Sequence, residues 1–279
     1  MSIDARTELY CVIGHPVSHS LGPAMHNRAF GAADVNATYL AFDVQDIGAA
    51  LKGLRALGIK GASVTIPHKL AVMAGLDEID DTARAIGAVN TLVNRNGRLC
   101  GYNTDCQGAV AALGEKTEMA GKRAALIGAG GAARAVGFGL VQAGARVTIF
   151  NRTPAKAENL ARELNADMMA MDAFDAGRFD ILINATSLGM HPNRQAMPVA
   201  AERIEPHLVV MDIVYNPLET RLLAAARAMG CRTQDGVAMF VHQGAIQFEL
   251  WTGRPAPLDL MRATVIEELR QAEKPDEKR

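Results

Sequence analysis

Short apolar runs alternate along this chain with stretches in which apolar residues recur every three or four positions, a rhythm of strand then helix. Leu9–Ile13, Tyr39–Val44 and Ala62–Ile66 read as strands. Pro23–Ala33 and Ile47–Leu57 read as the helices between them, the second with Leu51, Leu54 and Leu57 on one side and the first with Ser20 close to its start. Thr91–Val93 and Leu99–Tyr102 flank Asn94-Arg95-Asn96-Gly97, whose Asn-Gly pair signals a hairpin turn. A helix over Asp105–Leu113 runs into the polar stretch Glu115–Lys122, where the pattern places a domain boundary.

Beyond it come a strand at Ala124–Ile127, a helix at Ala132–Ala143, a strand at Val147–Phe150 and a helix at Pro154–Leu164. Strands at Ile181–Asn184 and Val209–Ile213 follow, then a helix over Glu219–Met229 closed by Gly230. Such alternation predicts mostly parallel sheet covered on both faces. Helical patterns at Met239–Trp251 and Leu258–Gln271 come too late for that sheet and are assigned back to the first domain. The expected fold class is α/β in two domains facing across a cleft that holds a small molecule. One is an open α/β substrate domain, residues 1–114 plus 240–279; the other is a Rossmann-type dinucleotide-binding domain, residues 115–239.

Composition narrows the function. The chain is 49% hydrophobic with a formal net charge of −1, which argues against nucleic-acid binding as its main role. No apolar run reaches the ~18 residues of a membrane span, and the first six residues carry charge without an apolar segment. Four cysteines without a CxxC pair, and seven histidines without an HExxH motif, point to reduced thiols and no metal. A cytoplasmic protein is expected, with a charged tail frayed from Glu273 to Arg279.

The most informative stretch is Leu126-Ile127-Gly128-Ala129-Gly130-Gly131-Ala132-Ala133-Arg134, an apolar strand entering a glycine turn that opens a helix. Glycines there let the backbone approach a pyrophosphate, and the helix start offers free N–H groups. Where the next strand ends, an acidic residue would accept from the ribose 2′-hydroxyl of NAD. This chain instead has Asn151-Arg152-Thr153, and the arginine suits the 2′-phosphate of NADP. Polar residues at strand ends in an open α/β sheet face the ligand crevice, which singles out Val64-Thr65-Ile66-Pro67-His68-Lys69, Gly87-Ala88-Val89-Asn90-Thr91 and Asn103-Thr104-Asp105.

These segments occur in order with Pro16-Val17-Ser18-His19-Ser20, Asn184-Ala185-Thr186-Ser187 and Asp235-Gly236-Val237-Ala238-Met239 through Gln243-Gly244-Ala245. Taken together, the chain resembles the shikimate dehydrogenase family, including its quinate/shikimate dehydrogenase branch, over nearly its whole length. The resemblance implies reversible reduction of 3-dehydroshikimate to shikimate with NADPH, Lys69 and Asp105 forming the catalytic pair. It implies substrate contacts from Ser18, Ser20, Thr65, Asn90, Asp105, Tyr215 and Gln243. The cofactor would lie against Gly128, Ala129, Gly130, Gly131, Ala132, Asn151, Arg152, Thr153, Thr186, Ile213, Gly236 and Met239, in a monomer or homodimer.

One departure bears on substrate. The family has Ser-x-Ser-Pro where this chain has Ser20-Leu21-Gly22-Pro23. Gly22 removes a hydroxyl donor and is expected to make space, which raises quinate, or another hydroxylated cyclohexane or cyclohexene carboxylate, as an alternative substrate. A second departure, Cys106 after Asp105, is read as an inert buried thiol. A non-catalytic ligand sensor on the same fold is a further alternative, and Lys69 with Asp105 argues against it.

Overall fold

The computed structural model describes residues 3–273; the charged tail over 274–279 lies outside the described residues. Within them the chain forms two compact units, one running to Thr104 and resuming at Gln243, the other spanning Asp105–His242.

The first unit begins with β1 (Glu8–Gly14), α1 (Gly22–Ala32), β2 (Ala37–Asp43), α2 (Ile47–Ala56) and β3 (Gly61–Val64). It continues through β4 (Glu78–Ile79), α3 (Asp81–Ile86), β5 (Thr91–Arg95) and β6 (Arg98–Tyr102). The six strands lie in the order β2-β1-β3-β5-β6-β4. β1 runs parallel to β2 and β3, whereas β5 is antiparallel to both β3 and β6. The sheet is therefore mixed: parallel over β2, β1 and β3, with the expected hairpin of β5 and β6 set beside them. Between β5 and β6 the Asn-Gly pair makes the turn: Asn96 and Gly97 both take positive φ, +55° and +90°, and reverse the chain in two residues. Cys11, Ile13, Leu51, Leu54, Val64, Leu92 and Leu99 form the core under this sheet.

The outer edge of β2 is blunted from within. Asn27 on α1 accepts from the Tyr39 N–H at 2.7 Å and donates to the Tyr39 carbonyl at 2.9 Å, standing in for a neighbouring strand.

The second unit carries most of α4 (Thr104–Gly114), then β7 (Arg123–Ile127), α5 (Gly131–Gln142), β8 (Arg146–Phe150), α6 (Pro154–Leu164) and β9 (Asp167–Met169). β10 (Ile181–Asn184), β11 (Val209–Asp212), α7 (Arg221–Ala228) and β12 (Arg232–Gln234) complete its sheet. All pairings are parallel, in the order β12-β11-β10-β7-β8-β9. This is the doubly wound order whose ligand crevice opens where the winding reverses, between β7 and β10. Apolar faces of α5 and α6 pack on it through Ala133, Val136, Leu140, Ala157, Leu160 and Leu164.

α8 (Gly236–Thr252) spans the division between the units, and α9 (Leu258–Glu273) packs against α1 in the first. The division falls at Thr104/Asp105 and His242/Gln243, where the sequence pattern put it at 114/115 and 239/240. The ten-residue difference has a packing reason. Ala109, Ala112 and Leu113 of α4 are buried in the core of the second unit.

Candidate active site

In the first unit a cluster of buried neutral side chains gathers at the strand ends. Asn90, 2% exposed, immediately precedes β5, and Gln243, 9% exposed, lies on α8. Asn90 donates from Nδ2 to the Thr104 hydroxyl at 3.0 Å and to Gln243 Oε1 at 3.3 Å. Its Oδ1 accepts from the Thr104 backbone N–H and from the Thr91 hydroxyl, each at 2.8 Å. Asn90 thus pins the residue that starts α4. The next residue, Asp105, is buried in the first turn of that helix, where the positive end of the helix dipole favours a carboxylate.

Behind this cluster runs a relay absent from the sequence reading. Gln247 donates to the Thr91 hydroxyl at 2.9 Å, and its Oε1 accepts from Ser63 at 2.8 Å. Ser63 in turn accepts from the Tyr39 hydroxyl at 2.6 Å. Tyr39 stacks on His26 with ring centroids 4.5 Å apart. Burial holds the Tyr39 phenol well above its ordinary range and pulls the His26 imidazole down to about 3, so His26 is neutral. One signal pointed to Gln247: it follows Gln243 by four residues and so shares a helix face with it. Tyr39 and Ser63 gave none, being set among apolar strand residues.

The loop before α1 holds Ser18, exposed, and Ser20, half-buried. Ser20 Oγ accepts from the Gly22 N–H at 3.2 Å. The expectation that Gly22 makes space needs correcting. A Cβ at Gly22 would lie 3.2 Å from Cε1 of Tyr39 and 3.3 Å from Ser20 Oγ, so packed atoms already border the position. Thr65 follows β3 and packs closely on Gly14, where a Cβ would overlap its methyl group. Lys69 is half-buried and its carbonyl accepts from the Val89 N–H at 2.8 Å. Between them His68 is buried, with Nε2 at 2.6 Å from the Val44 carbonyl, which anchors the loop.

In the second unit the glycine turn has the geometry a pyrophosphate requires. Gly128 takes φ +124°, and a Cβ there would lie 2.8 Å from the Ala185 carbonyl oxygen, so only glycine fits. Among the described residues nothing lies within 4 Å of a Cβ built at Gly130, and no side chain caps the α5 N-terminus that Gly131 and Ala132 open. At the end of β8, Asn151 Nδ2 donates to the Thr153 carbonyl at 3.0 Å, and Thr153 precedes Pro154 at the start of α6. Arg152 is exposed and, among the described residues, makes no ion pair, whereas Arg134 on α5 and Arg162 on α6 are engaged by Glu163 and Glu158. An open glycine cradle, an uncapped helix start and an unpaired arginine fit NADP.

Thr186 follows β10 and its hydroxyl donates to Asn184 Oδ1 at 2.6 Å. Gly236 begins α8 so close to the loop after β11 that a Cβ would lie 2.5 Å from the Val214 carbonyl and 2.6 Å from the Ile213 oxygen. Ile213 and Met239 both contribute to the apolar core beneath, where Met239 is buried. Tyr215 stacks on Phe240 at 4.7 Å, and burial pushes its phenol up to about 12. Cys106 is buried and its thiol is pushed up to about 11, which accords with the inert reading. Among the described residues no cluster of His, Cys, Asp or Glu could hold a metal ion, and no helix is long and apolar enough to cross a membrane.

A doubly wound dinucleotide-type unit, joined in one chain to a mixed α/β unit with a polar cluster at its strand ends, is the architecture of a two-unit dehydrogenase. Models of the shikimate dehydrogenase substrate binding domain, of shikimate/quinate 5-dehydrogenase and of the shikimate 5′-dehydrogenase C-terminal domain match residues 12–92, 111–218 and 236–266. Shikimate dehydrogenase (NADP(+)) of Geobacillus kaustophilus is 49% identical over 274 residues, covering 95% of this chain and 99% of that one. A solved shikimate dehydrogenase in complex with NADP+ is 43% identical with a TM-score of 0.92, covering 96% of this chain and 98% of that one. Quinate dehydrogenase of Corynebacterium glutamicum in complex with NAD is 31% identical with a TM-score of 0.87, covering 94% and 99%. The chain belongs to the shikimate dehydrogenase family.

Proposed function

We propose that this chain interconverts 3-dehydroshikimate and shikimate with NADP(H), in the cytoplasm, as a monomer or homodimer. The observation that carries this reading beyond family membership is the Asn90–Thr104–Gln243 cluster. It offers neutral donors and acceptors, suited to a ring bearing several hydroxyls, beside the helix start that carries Asp105.

NADPH, when bound, supplies the hydride. Gly128, Ala129, Gly130, Gly131 and Ala132 would receive its pyrophosphate, and Asn151, Arg152 and Thr153 its 2′-phosphate. Thr186, Ile213, Gly236 and Met239 would border the nicotinamide half. Lys69 donates a proton from Nζ to the substrate oxygen as charge develops there, and recovers one from solvent. Asp105 holds a ring hydroxyl. Asn90, Thr65, Gln243 and Tyr215 orient the ring, while Ser18 and Ser20 receive its carboxylate. In Lys69→Ala, kcat should fall by roughly 10²–10⁴-fold with NADP affinity unchanged. Retention of most of kcat would move the proton donor elsewhere.

Quinate is the second reading, favoured by Gly22 in place of the family's serine. It carries a hydroxyl on the carboxylate-bearing carbon, which Gly22, though already bordered by the Tyr39 ring and Ser20 Oγ, crowds less than a serine would.

A further inference from the structure

Asp212 ends β11 and is fully buried, yet it belongs to none of the motifs above. Its carboxylate receives three hydrogen bonds. Oδ1 accepts from Asn184 Nδ2 and from the Val214 N–H, each at 3.0 Å, and Oδ2 accepts from the Thr220 hydroxyl at 2.7 Å. Each partner has a further duty. Asn184, also fully buried, accepts through Oδ1 from both the N–H and the hydroxyl of Thr186, at 3.1 and 2.6 Å. It also donates to the Leu188 carbonyl at 3.1 Å. Thr220 caps α7 by accepting from the Leu223 N–H. Val214 lies between Ile213 and Tyr215, against the backbone of Gly236.

All three groups facing the carboxylate are donors, so the position calls for a side chain with acceptors on both arms. Burial raises the Asp212 carboxyl to about 6, against the pull of these donors. A polar network buried this deeply and fully satisfied fixes the elements it joins. Here it joins the loop after β10, which carries Thr186, to the loop after β11, which carries Ile213 and Tyr215.

We propose that Asp212 is a positioning residue for hydride transfer, locking these two loops at the nicotinamide end of the crevice through Asn184. The proposal rests on the functional reading above for the roles of Thr186, Ile213 and Tyr215. Its geometric part stands independently of that reading.

The test compares Asp212→Ala, which removes every acceptor, with Asp212→Asn, which keeps Oδ1 and the tie between the loops. Asp212→Ala should lower kcat for shikimate by roughly 10- to 100-fold, as expected when reacting atoms are misplaced by an ångström or less. The primary deuterium isotope effect on kcat should rise as hydride transfer becomes limiting. The NADP dissociation constant should change by less than about threefold, because Arg152 and the glycine turn lie on other loops. Amide hydrogens of Thr186, Leu188 and Val214 should exchange at least about tenfold faster, as the local opening equilibrium shifts. Asp212→Asn, which loses the acceptor for the Thr220 hydroxyl but keeps the tie between the loops, should recover part of kcat and of the protection at Thr186 and Val214. If Asp212→Ala does not fold, Asn184→Ala breaks the same tie from the other side and carries the same expectations. A folded Asp212→Ala or Asn184→Ala variant with kcat within twofold of wild type and an unchanged isotope effect overturns the proposal, as does unchanged exchange at those amides. Wild-type protein that fails to turn over shikimate would sink the functional reading, and the exchange measurement would still decide the role of Asp212.

Discussion

Asn90 Nδ2 lies 3.3 Å from Gln243 Oε1, although 153 positions separate the two residues in the chain. Both reach the Thr104 hydroxyl, at 3.0 and 3.4 Å, so residues from the loop before β5, from α8 and from the start of α4 share one polar cluster. In Asn90→Ala the Thr104 N–H and the Thr91 hydroxyl lose their buried acceptor, at a cost of roughly 1–3 kcal/mol each. Substrate KM should rise more than tenfold, and Tm should fall. Asn90→Asp keeps the acceptors but sets a carboxylate against Gln243 Oε1, and should raise KM with a smaller loss in Tm. Steady-state kinetics with thermal melts separates the two; unchanged KM in both variants would remove Asn90 from the substrate site.

Arg152 is exposed and unpaired among the described residues, whereas Arg134 and Arg162 are held by glutamates. Charge-assisted hydrogen bonds to a phosphate are worth roughly 1.5–3 kcal/mol. Arg152→Ala should therefore weaken NADP by about 10- to 150-fold while leaving NAD nearly unaffected, as read by calorimetric titration of each cofactor. Equal losses would place the 2′-phosphate elsewhere.

Gly22 does not adopt the left-handed conformation, so its backbone accepts a side chain. The Tyr39 ring and Ser20 Oγ would have to yield by a few tenths of an ångström. Gly22→Ser adds a hydroxyl beside that of Ser20 and should raise the shikimate-to-quinate ratio of kcat/KM several-fold, mainly through KM. Gly22→Ala, which crowds without donating, should lower kcat/KM for both. Matching behaviour of the two variants would show that crowding alone governs the position.

His26 makes the fold sensitive to acid. Its folded pKa lies at about 3 against an ordinary 6.5, because burial disfavours the charged ring. Below pH 6.5 the unfolded chain gains a proton that the folded chain refuses, so stability is lost as pH falls through the window from 6.5 to 3. At pH 5 the loss amounts to about 2 kcal/mol. His26→Phe keeps an aromatic ring against Tyr39 and removes the titration. Its urea-unfolding free energy, measured against wild type, should therefore improve by about that amount between pH 7.5 and pH 5. Parallel changes in the two proteins would contradict the neutral assignment.

Much of this was legible in the residue pattern, and the exceptions have physical causes. The Gly128–Gly131 turn and the Asn96-Gly97 hairpin could be read because positive φ and close backbone approach leave a glycine signature. The short strands β4 and β12 could not, since Glu78-Ile79 and Arg232-Thr233-Gln234 carry no apolar run. Tyr39, Ser63 and Asp212 were hidden for a different reason. Each has at least one partner more than twenty positions away, and each sits in a strand whose neighbours already explain it as core.

The most direct measurement is a substrate–cofactor matrix: kcat/KM for shikimate and for quinate, each with NADP and with NAD. Shikimate with NADP should be the best of the four pairs, with NADP exceeding NAD for either substrate because Arg152 is free to bind the 2′-phosphate. Turnover of quinate with NAD above that of shikimate with NADP, or of neither substrate with either cofactor, would contradict the account.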